Sequence, residues 1–364
     1  MIKGFLGSLI AALVLFAAGS ISAAVLGTNE LEVKKEVQML DWNEHGEKMI
    51  NERVTGEKTW YFDERTDIRE IEVNSSNVKT YIAPSKDNRI TVSVQTNGWK
   101  SVSVKAEQND PFDGRLNLSV SGNTFGNFVF FGGNNGTVII GLPDVIYDKL
   151  TLDLGSGTLE ARDIGAKENE FDVGSGHFEF SQKKGFTADM LELDMGSGSA
   201  KIANAATRKY KADMGSGSVN VSDLSGSGTV DVGSGKLTVE FAEIGASESR
   251  FDLGSGKLNV YVPSDTKADL YTEIGSGSVV ADCCGVSEKI RGDSHIQFNP
   301  GADGENGTLY ADVSSGKIEF LNSSEYEQPD MFDDFPNRLV FNTDEAVVKE
   351  ATVTEAAVIQ NRGN

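Results

Sequence analysis

Carboxylates recur at one position of a short phrase that the chain repeats about every twenty residues. In sequence order they are Asp153, Asp172, Asp194, Asp213, Asp231, Asp252, Glu273 and Asp312. If the repeats stack as strands, these side chains form an outward column with neighbours roughly 4.8 Å apart. Such neighbours repel by roughly 0.9 kcal/mol in water, so another interaction must offset the repulsion.

Two interactions could stabilise this carboxylate column. The amides of the adjacent Gly-Ser-Gly could donate hydrogen bonds to each carboxylate, as in Asx turns, and we expect this local arrangement. The alternative is a row of bound Ca²⁺ ions, which prefer carboxylate ligands. The repeat lacks the second glycine pair and the nine-residue spacing of known calcium-binding β-rolls. We expect no other cofactor.

The repeated phrase predicts how the carboxylates are positioned. Its first copy, from Leu152 to Ala161, reads LDLGSGTLEA. Gly-Ser-Gly begins at Gly155, Gly174, Gly196, Gly215, Gly233, Gly254 and Gly275, and a degenerate copy begins at Ser314. The last step spans 39 residues, which fits two steps with one degraded copy. A period of this size is typical of one supersecondary unit stacked on itself.

The spacing within each phrase requires a turn at Gly-Ser-Gly. Leu152 and Leu154 alternate with Asp153, as in a strand with one apolar face, and the residues from Leu159 alternate in the same way. Leu154 and Leu159 are five residues apart, so one continuous strand would place them on opposite faces. The chain must therefore turn between them, where glycine accepts a positive φ and close backbone approach.

These patterns predict an all-β fold, a single-stranded β-solenoid of about 20-residue coils over residues 71–320. The residues before the first full repeat would form irregular coils that cover one end. We expect the core to include Phe178, Phe180, Met195, Met214 and Leu253. The alternative is a β-sandwich with glycine-rich hairpins, but a sandwich does not require the same phrase in every strand.

The charge balance excludes one class of partner. The 364 residues carry 33 Lys and Arg against 55 Asp and Glu, a formal net charge of −22. Nucleic-acid binding requires basic patches, so we expect no nucleic-acid partner. The same balance disfavours direct binding to anionic lipid headgroups, so membrane contact is expected only through the N-terminal segment.

Residues 1–26 have the composition of a targeting segment. Lys3 precedes an uncharged run from Phe5 to Leu26, and small residues near Ala24 offer a cleavage site. The pattern favours a cleaved signal peptide, with an uncleaved membrane anchor as the alternative. In both cases the rest of the chain is exported, so we expect an extracytoplasmic protein, secreted or anchored to the membrane.

The regions that flank the repeats differ from them in composition. Residues 27–70 are charged, with apolar residues loosely at helical spacing, and predict a partly helical stalk or a solvated linker. Residues 321–364 carry nine acidic and three basic residues and predict an acidic tail that is disordered or loosely docked. The aromatic residues of this tail, which include Phe332, Phe335 and Phe341, could cover the open end of the solenoid.

Four phenylalanines interrupt a Gly- and Asn-rich stretch before the first full repeat. They are Phe125, Phe128, Phe130 and Phe131. A hairpin that packs these rings on the core is the first interpretation. The alternative is an exposed aromatic loop that contacts a partner or a membrane, because large exposed apolar patches usually mark contact sites.

The remaining reactive residues indicate no catalytic site. Arg291-Gly292-Asp293 matches an integrin-type tripeptide, and we expect it at an exposed corner, although three residues carry little information. Cys283 and Cys284 are adjacent, so we expect small buried residues rather than a disulfide. The three histidines, His45, His177 and His295, are scattered, and no nucleophile elbow is present. We therefore expect a protein that is not an enzyme.

Residues 71–320 resemble the bacterial putative-adhesin family of β-strand-repeat domains, which are described as toast-rack-like. The resemblance is carried by Val78 to Pro84, Arg89 to Val94, Gly141-Leu142-Pro143 and the serial Asp-φ-Gly-Ser-Gly units from Leu152. It implies an exported bacterial protein on or near the cell envelope, without catalytic residues. Some members of the family resemble envelope-stress sensors that face antimicrobial peptides.

Together these observations predict an exported, non-catalytic binding protein of the bacterial cell envelope. The leading interpretation is an adhesin or surface interaction module that binds a cell-envelope or surface macromolecule, because an array of like faces suits multivalent contact. The alternative is a stress-sensing regulatory ectodomain that binds cationic peptides or a membrane partner, since the acidic surface attracts cations.

Overall fold

The computed structural model describes residues 36–40, 48–62, 68–85, 88–96, 100–108, 114–123, 136–244, 248–300 and 307–332. Nearly all regular structure in these ranges is β-strand, with one short 3₁₀ turn at Ser323–Glu325. The strands are β1 (Glu36–Leu40), β2 (Lys48–Val54), β3 (Glu57–Phe62), β4 (Glu70–Pro84), β5 (Thr91–Gln95), β6 (Ser101–Gln108), β7 (Arg115–Asn123), β8 (Thr137–Leu142), β9 (Ile146–Val173), β10 (His177–Gln182), β11 (Ala188–Met195), β12 (Ser199–Ala203), β13 (Thr207–Met214), β14 (Ser218–Leu224), β15 (Ser227–Val232), β16 (Lys236–Phe241), β17 (Glu248–Leu253), β18 (Lys257–Val262), β19 (Ala268–Ile274), β20 (Ser278–Cys283), β21 (Val286–Ile290), β22 (Ser294–Phe298), β23 (Gly307–Val313) and β24 (Lys317–Asn322).

The repeated coils build two layers of parallel strands. Each coil places the strand before its Gly-Ser-Gly turn in a first layer and the strand after the turn in a second layer, and β4 and β9 contribute to both. The spatial order of the first layer is β2-β6-β7-β4-β9-β11-β13-β15-β17-β23-β19-β22. The order of the second layer is β1-β3-β5-β8-β4-β9-β10-β12-β14-β16-β18-β24-β20-β21. Parallel pairing of successive coils confirms the β-solenoid and makes the sandwich of hairpins wrong.

The apolar residues of both layers face one continuous core. Leu154 and Leu159 are both fully buried, on either side of the turn that their spacing predicted. The expected core residues Phe178, Phe180, Met195, Met214 and Leu253 are all buried in this same cluster. Phe171 packs across the core against Phe178 and Phe180 of the same coil, with ring centroids 5.0 and 4.6 Å apart. Phe241 packs against Phe251 of the next coil, with centroids 6.4 Å apart. The core therefore runs along the stack as contacts between neighbouring coils.

Glycine is required in the turns because neighbouring coils approach closely. A Cβ on Gly196 would lie 2.9 Å from the carbonyl oxygen of Gly174, and one on Gly198 would lie 2.4 Å from that of Gly176. Positive φ, which the sequence also allowed, occurs among the Gly-Ser-Gly glycines only at Gly157, where φ is +99°. The turns thus stack glycine on glycine, and the absence of a side chain lets the main-chain ladder continue through them.

The last coils do not stack in sequence order, which corrects one expectation. The 39-residue step between Gly275 and Ser314 was expected to contain one degraded copy of the repeating coil. Instead β22 pairs antiparallel with β19, and β21 pairs antiparallel with β20, so this segment is a return across the end of both layers. The coil of β23 and β24 then inserts between the coil of β17 and β18 and the coil of β19 and β20. Charged residues in β21, such as Glu288 and Lys289, suit an edge strand because charge discourages pairing with another chain.

The region before residue 70 contains strands, so the partly helical stalk is wrong within the described residues. β2 pairs antiparallel with β6, and β3 pairs with β1 and β5, which extends both layers beyond the repeats. Trp60 and Phe62 are each only 1% exposed, because alternate residues of β3 point into the core. The loose helical spacing was misleading since pairing with β6 and the burial of these rings outweigh a weak local preference.

Several expectations fall outside the described residues, among them the targeting segment 1–26 and the tail from residue 333. No helix among the described residues is long and apolar enough to cross a membrane. The sequence suggested that aromatic residues of the tail cover the open end of the solenoid, but the described start of the tail does not. Phe332 instead packs against the cluster of Tyr81 and Ala83 on the outer face of the second layer.

The stacked turns lead to a test of the fold. We expect Gly198→Ala to lower the free energy of unfolding by about 1–3 kcal/mol, because the new methyl group overlaps the Gly176 carbonyl and forces the coils apart. Urea denaturation monitored by circular dichroism measures the change. Ser197→Ala is the matched control, since Ser197 is exposed in the same turn. Equal effects of the two substitutions would contradict this account of the glycines.

Candidate functional site

The predicted carboxylate column exists, in a corrected order. Asp194 lies in register between Asp172 and Asp213, and the following neighbours are Asp231 and Asp252. Asp312 then precedes Glu273, because the coil of β23 lies inside that of β19. At the other end Asn74 of β4 is in register with Asp153 and extends the row by one polar side chain. The sequence did not reveal this extension because β4 lacks the Gly-Ser-Gly phrase.

The carboxylate column is on the solvent side of the first layer. Asp172, Asp194, Asp213 and Asp231 are exposed, whereas Asp153 is partly covered. The partial burial of Asp153 raises its pKa, and the charges of Asp172 and Glu72 raise it further.

Two other members of the column titrate like Asp153. Partial burial, followed by the neighbouring carboxylates, raises the pKa values of Asp194 and Asp252. Electrostatic repulsion between the carboxylates therefore destabilises the column, and other interactions in the fold must offset it.

The expected hydrogen bonds from the turn amides to the carboxylates are not what offsets this repulsion. The amide of Gly196 donates to the carbonyl of Val173 at 2.9 Å, and the amide of Ser197 donates to the carbonyl of Gly174 at 2.8 Å. The same pattern recurs at Gly215 and Ser216. The amides of the first glycine and of the serine thus complete the ladder between coils, and no turn amide among the described residues donates to a carboxylate of the column. The local capping interpretation is wrong for this reason.

The column is held by the main-chain ladder and by a few basic side chains beside it. Lys211 lowers the pKa of Asp194, and Arg250 does the same for Asp252, although in both cases burial and the other carboxylates outweigh the base. Lys211 also contacts Glu192 at 2.5 Å in an ion pair. The exposed acidic row is therefore only partly neutralised within the chain.

The structure does not gather a metal site from the column. Within the described ranges, no group of three or more His, Cys, Asp or Glu side chains is arranged to hold a metal ion. The carboxylates form a line, with one from each coil, whereas Ca²⁺ takes six to eight oxygen ligands. Calcium binding along the column stays a prediction.

A row of stacked rings lies on the same face near the last coils and was missed by the sequence analysis. His295 stacks on Tyr271 with ring centroids 4.6 Å apart, and Tyr271 stacks on Tyr310 at 5.4 Å. The guanidinium of Arg250 covers the other side of Tyr310 at 4.8 Å. Asp269 accepts hydrogen bonds from His295 and from Gln297. Only the inserted order of β17, β23, β19 and β22 brings these residues into one row, so no spacing in the chain could reveal it.

A shallow groove of about 350 Å³ crosses the middle of this face. Its floor includes Gly228, whose missing side chain leaves room for Tyr210 of the neighbouring coil. Tyr210 reaches past that glycine and donates a hydrogen bond to Ser249 at 2.8 Å, and burial raises its pKa. Lys209, Lys211 and Arg250 surround the opening. The outer face of the first layer thus offers an acidic row, a groove and an aromatic row side by side.

The other predicted positions do not join this surface. Phe125, Phe128, Phe130 and Phe131 lie outside the described residues. Arg291 and Asp293 are exposed between β21 and β22, which confirms an exposed position for the tripeptide. Cys283 and Cys284 are buried as free thiols, as expected.

The histidines are not gathered into one site. His177 contacts Ser199 and Glu179 on the second layer, far along the chain from the stacked His295. His45 lies outside the described residues.

The comparisons with known proteins concern the same region as the coils. The family model of the Toastrack DUF4097 domain matches residues 68–321. A "putative cell adhesion protein" from Clostridium sporogenes is 15% identical, over 75% of this chain and 100% of that one, with a TM-score of 0.28. A "putative lipid binding protein" from Parabacteroides distasonis is 14% identical, over 79% and 100%, with a TM-score of 0.41. A "putative adhesin" from Bacteroides fragilis is 12% identical, over 78% and 99%, with a TM-score of 0.31. No curated protein matches the chain.

The raised pKa of Asp194 gives a test with a defined sign. Its ionisation costs stability in the folded state, and this cost is absent below the ordinary pKa of 3.8 and complete above the raised value. We expect Asp194→Asn to stabilise the fold at pH 7 and low salt by roughly 0.5–1 kcal/mol. The gain should vanish as the pH falls below 3.8, as measured by urea denaturation across pH. Asp265→Asn, an exposed carboxylate off the column, should show no such gain.

Calcium binding is tested by thermal unfolding. If the column binds Ca²⁺, the melting temperature of the unaltered chain rises between excess chelator and millimolar Ca²⁺, because a ligand of the folded state stabilises it. The double variant Asp194→Asn/Asp213→Asn should lose that rise. An unchanged melting temperature in the unaltered chain would exclude a calcium column.

Proposed function

The chain belongs to the Toastrack DUF4097 family, and on this basis we propose that it is an exported, non-catalytic binding protein of the bacterial cell envelope, an adhesin or surface interaction module. The observation that supports the proposal is the exposed face of the first layer, on which carboxylates recur once in every coil from Asp153 to Glu273. A ligand with repeating groups would meet the same chemistry at each step of roughly 4.8 Å. Weak contacts then sum to a useful affinity.

A second function in the same class is favoured by the charge of this face. A stress-sensing ectodomain that binds cationic peptides would use the acidic row directly, since most of its carboxylates are exposed and the row is only partly neutralised by Lys211 and Arg250. Attraction of this kind weakens with ionic strength. Adhesion to an uncharged glycan would not depend on salt in this way. The two functions therefore differ in a property that is simple to measure.

Binding assays on the full exported chain separate the two. The probes are fluorescent decalysine, as a cationic ligand, and an array of neutral envelope and surface glycans, each titrated from 50 to 500 mM salt. If the column is the contact surface, the triple variant Asp194→Asn/Asp213→Asn/Asp231→Asn should bind decalysine at least tenfold more weakly, because three adjacent charges are lost.

The matched control has the same change in net charge away from the column. It is Glu243→Gln/Asp265→Asn/Glu288→Gln, three exposed carboxylates that do not stack. A selective loss in the column variant supports the peptide-binding function, and salt-independent glycan binding supports adhesion. Failure to bind either probe, or an equal loss in both variants, contradicts the first layer as the contact surface.

A further inference from the structure

The outer faces of the two layers differ in exposure. On the first layer the outward carboxylates are solvent-facing, as described above. On the second layer the outward side chains of Glu160, Glu179 and Ser222 are only 2–3% exposed. Acidic residues that point away from the core are rarely so buried unless another segment covers them. Part of that cover is residues 326–332, which we call the strap.

The strap begins at an aromatic anchor. The hydroxyl of Tyr326 donates a hydrogen bond to Oδ1 of Asn220 on β14 at 2.5 Å, and its ring packs on Tyr261 of β18 with centroids 5.3 Å apart. Burial raises the pKa of Tyr326 to about 12. The ring is thus half-buried between β14 and β18, the two strands that flank β16, in a site that fits an aromatic side chain with a polar end.

The middle of the strap is held through its main chain. Lys201 of β12 donates to the carbonyl oxygen of Asp330 at 2.5 Å and pairs with Glu179 of β10 at 2.9 Å. Glu179 in turn accepts a hydrogen bond from the amide of Phe332 and contacts His177 at 3.0 Å.

These contacts keep Glu179 ionised under the strap. Burial alone would raise the pKa of Glu179, but the donors His177, Lys201 and the Phe332 amide lower it to about 2. The ion pair of Lys201 and Glu179 therefore contacts one main-chain carbonyl and one main-chain amide of the strap, and neither contact depends on the strap's side chains.

The strap ends at a second aromatic anchor, where Phe332 packs on the cluster of Tyr81 and Ala83 of β4, against which Ile139 of β8 also packs. From Asn220 to Tyr81 the surface crosses four strand spacings, or roughly 19 Å, and six residues of extended chain span roughly 20 Å. The strap therefore runs extended across the strands, along the axis of the stack. Its length matches the distance between the two aromatic anchors.

The strap is attached by far fewer bonds than a strand of the fold. It joins no ladder, and Glu327, Gln328 and Asp330 remain exposed. The 3₁₀ turn at Ser323–Glu325 joins it to the last described strand, so its release would leave all 24 strands of the described ranges paired. Such a segment can leave its surface while the solenoid stays folded.

We infer that the outer face of the second layer, between Tyr261 and Tyr81, is a binding surface for an extended peptide, and that the strap occupies it as a tethered, displaceable ligand. The surface selects two aromatic side chains six residues apart and recognises the main chain between them through Lys201 and Glu179. This site is separate from the carboxylate column and does not depend on the function proposed for it. A competing peptide would have to overcome a tethered segment whose effective concentration is on the order of millimolar.

The test uses the full chain and a synthetic probe. The double variant Tyr326→Ala/Phe332→Ala removes both aromatic anchors of the strap. A fluorescent peptide of residues 322–332, amidated at its C-terminus, is titrated and followed by polarisation. We expect at least tenfold tighter binding to the double variant than to the unaltered chain, since the tethered competitor is weakened.

Two further substitutions in the double variant locate the peptide. Lys201→Met removes the donor to the main-chain carbonyl, and Tyr261→Ala removes the ring beneath Tyr326; each should weaken the peptide at least fivefold. Lys209→Met, on the outer face of the first layer, is the control and should change nothing. Thermal melts identify any variant that fails to fold. If one of the two substitutions prevents folding, the loss of binding with the other alone still locates the peptide. Absence of saturable binding to the double variant, or an equal loss with Lys209→Met, would overturn the inference.

Discussion

The structure depends on a main-chain ladder that continues through its turns. In most β folds the turn interrupts the ladder, but here the amides of Gly-Ser-Gly donate to the carbonyls of the preceding coil, as Gly196 does to Val173. This requires coils to approach until the carbonyl of one glycine lies where the side chain of the next would be. Glycine is a steric requirement at the last position of the phrase, whereas Ser314 takes the first position in one coil, and the central serine faces solvent.

This ladder explains how the fold tolerates a row of like charges. Register along the stack is set by backbone hydrogen bonds and by a continuous apolar core, so Asp172, Asp194 and Asp213 must lie next to each other. Repulsion of roughly 1 kcal/mol per neighbour is small beside the burial of even one large core side chain, which contributes roughly 1.5–3 kcal/mol. The coils can therefore display charge at a fixed spacing. The first layer therefore presents like charges at a regular spacing along the stack.

The two layers share one architecture and present different surfaces. The first layer leaves its acidic row and the stacked rings of Tyr271 and Tyr310 open to solvent. The second layer buries Glu179 beneath the strap and satisfies it with three donors. A buried carboxylate with a complete set of partners fixes the position of whatever supplies those partners. The strap is therefore a specific contact, whereas the acidic row of the first layer is open to solvent.

Much of the fold could be predicted from the sequence because the spacing of apolar residues within each coil determines where the strands turn and which side chains face the core. The five-residue interval between Leu154 and Leu159 required a turn, and the alternation around it assigned the core side chains and the outward carboxylates. The secondary structure of segments without the repeated phrase was harder to predict from the sequence. Residues 48–62 appeared loosely helical, yet they are strands because pairing with β5 and β6 outweighs a weak local preference.

What only the tertiary structure decided is which coil lies beside which. The phrase specifies how one coil pairs with a like coil, but every coil carries nearly the same phrase, so the insertion of β23 between β17 and β19 leaves no local trace. The row of Arg250, Tyr310, Tyr271 and His295 depends on that order and was invisible beforehand. The strap depends on contacts between residues more than 100 positions apart, such as Tyr326 with Asn220. The sequence alone thus determined the shape of the repeating unit, because hydrophobic alternation acts within a coil, while long-range packing determined the surfaces on which function can act.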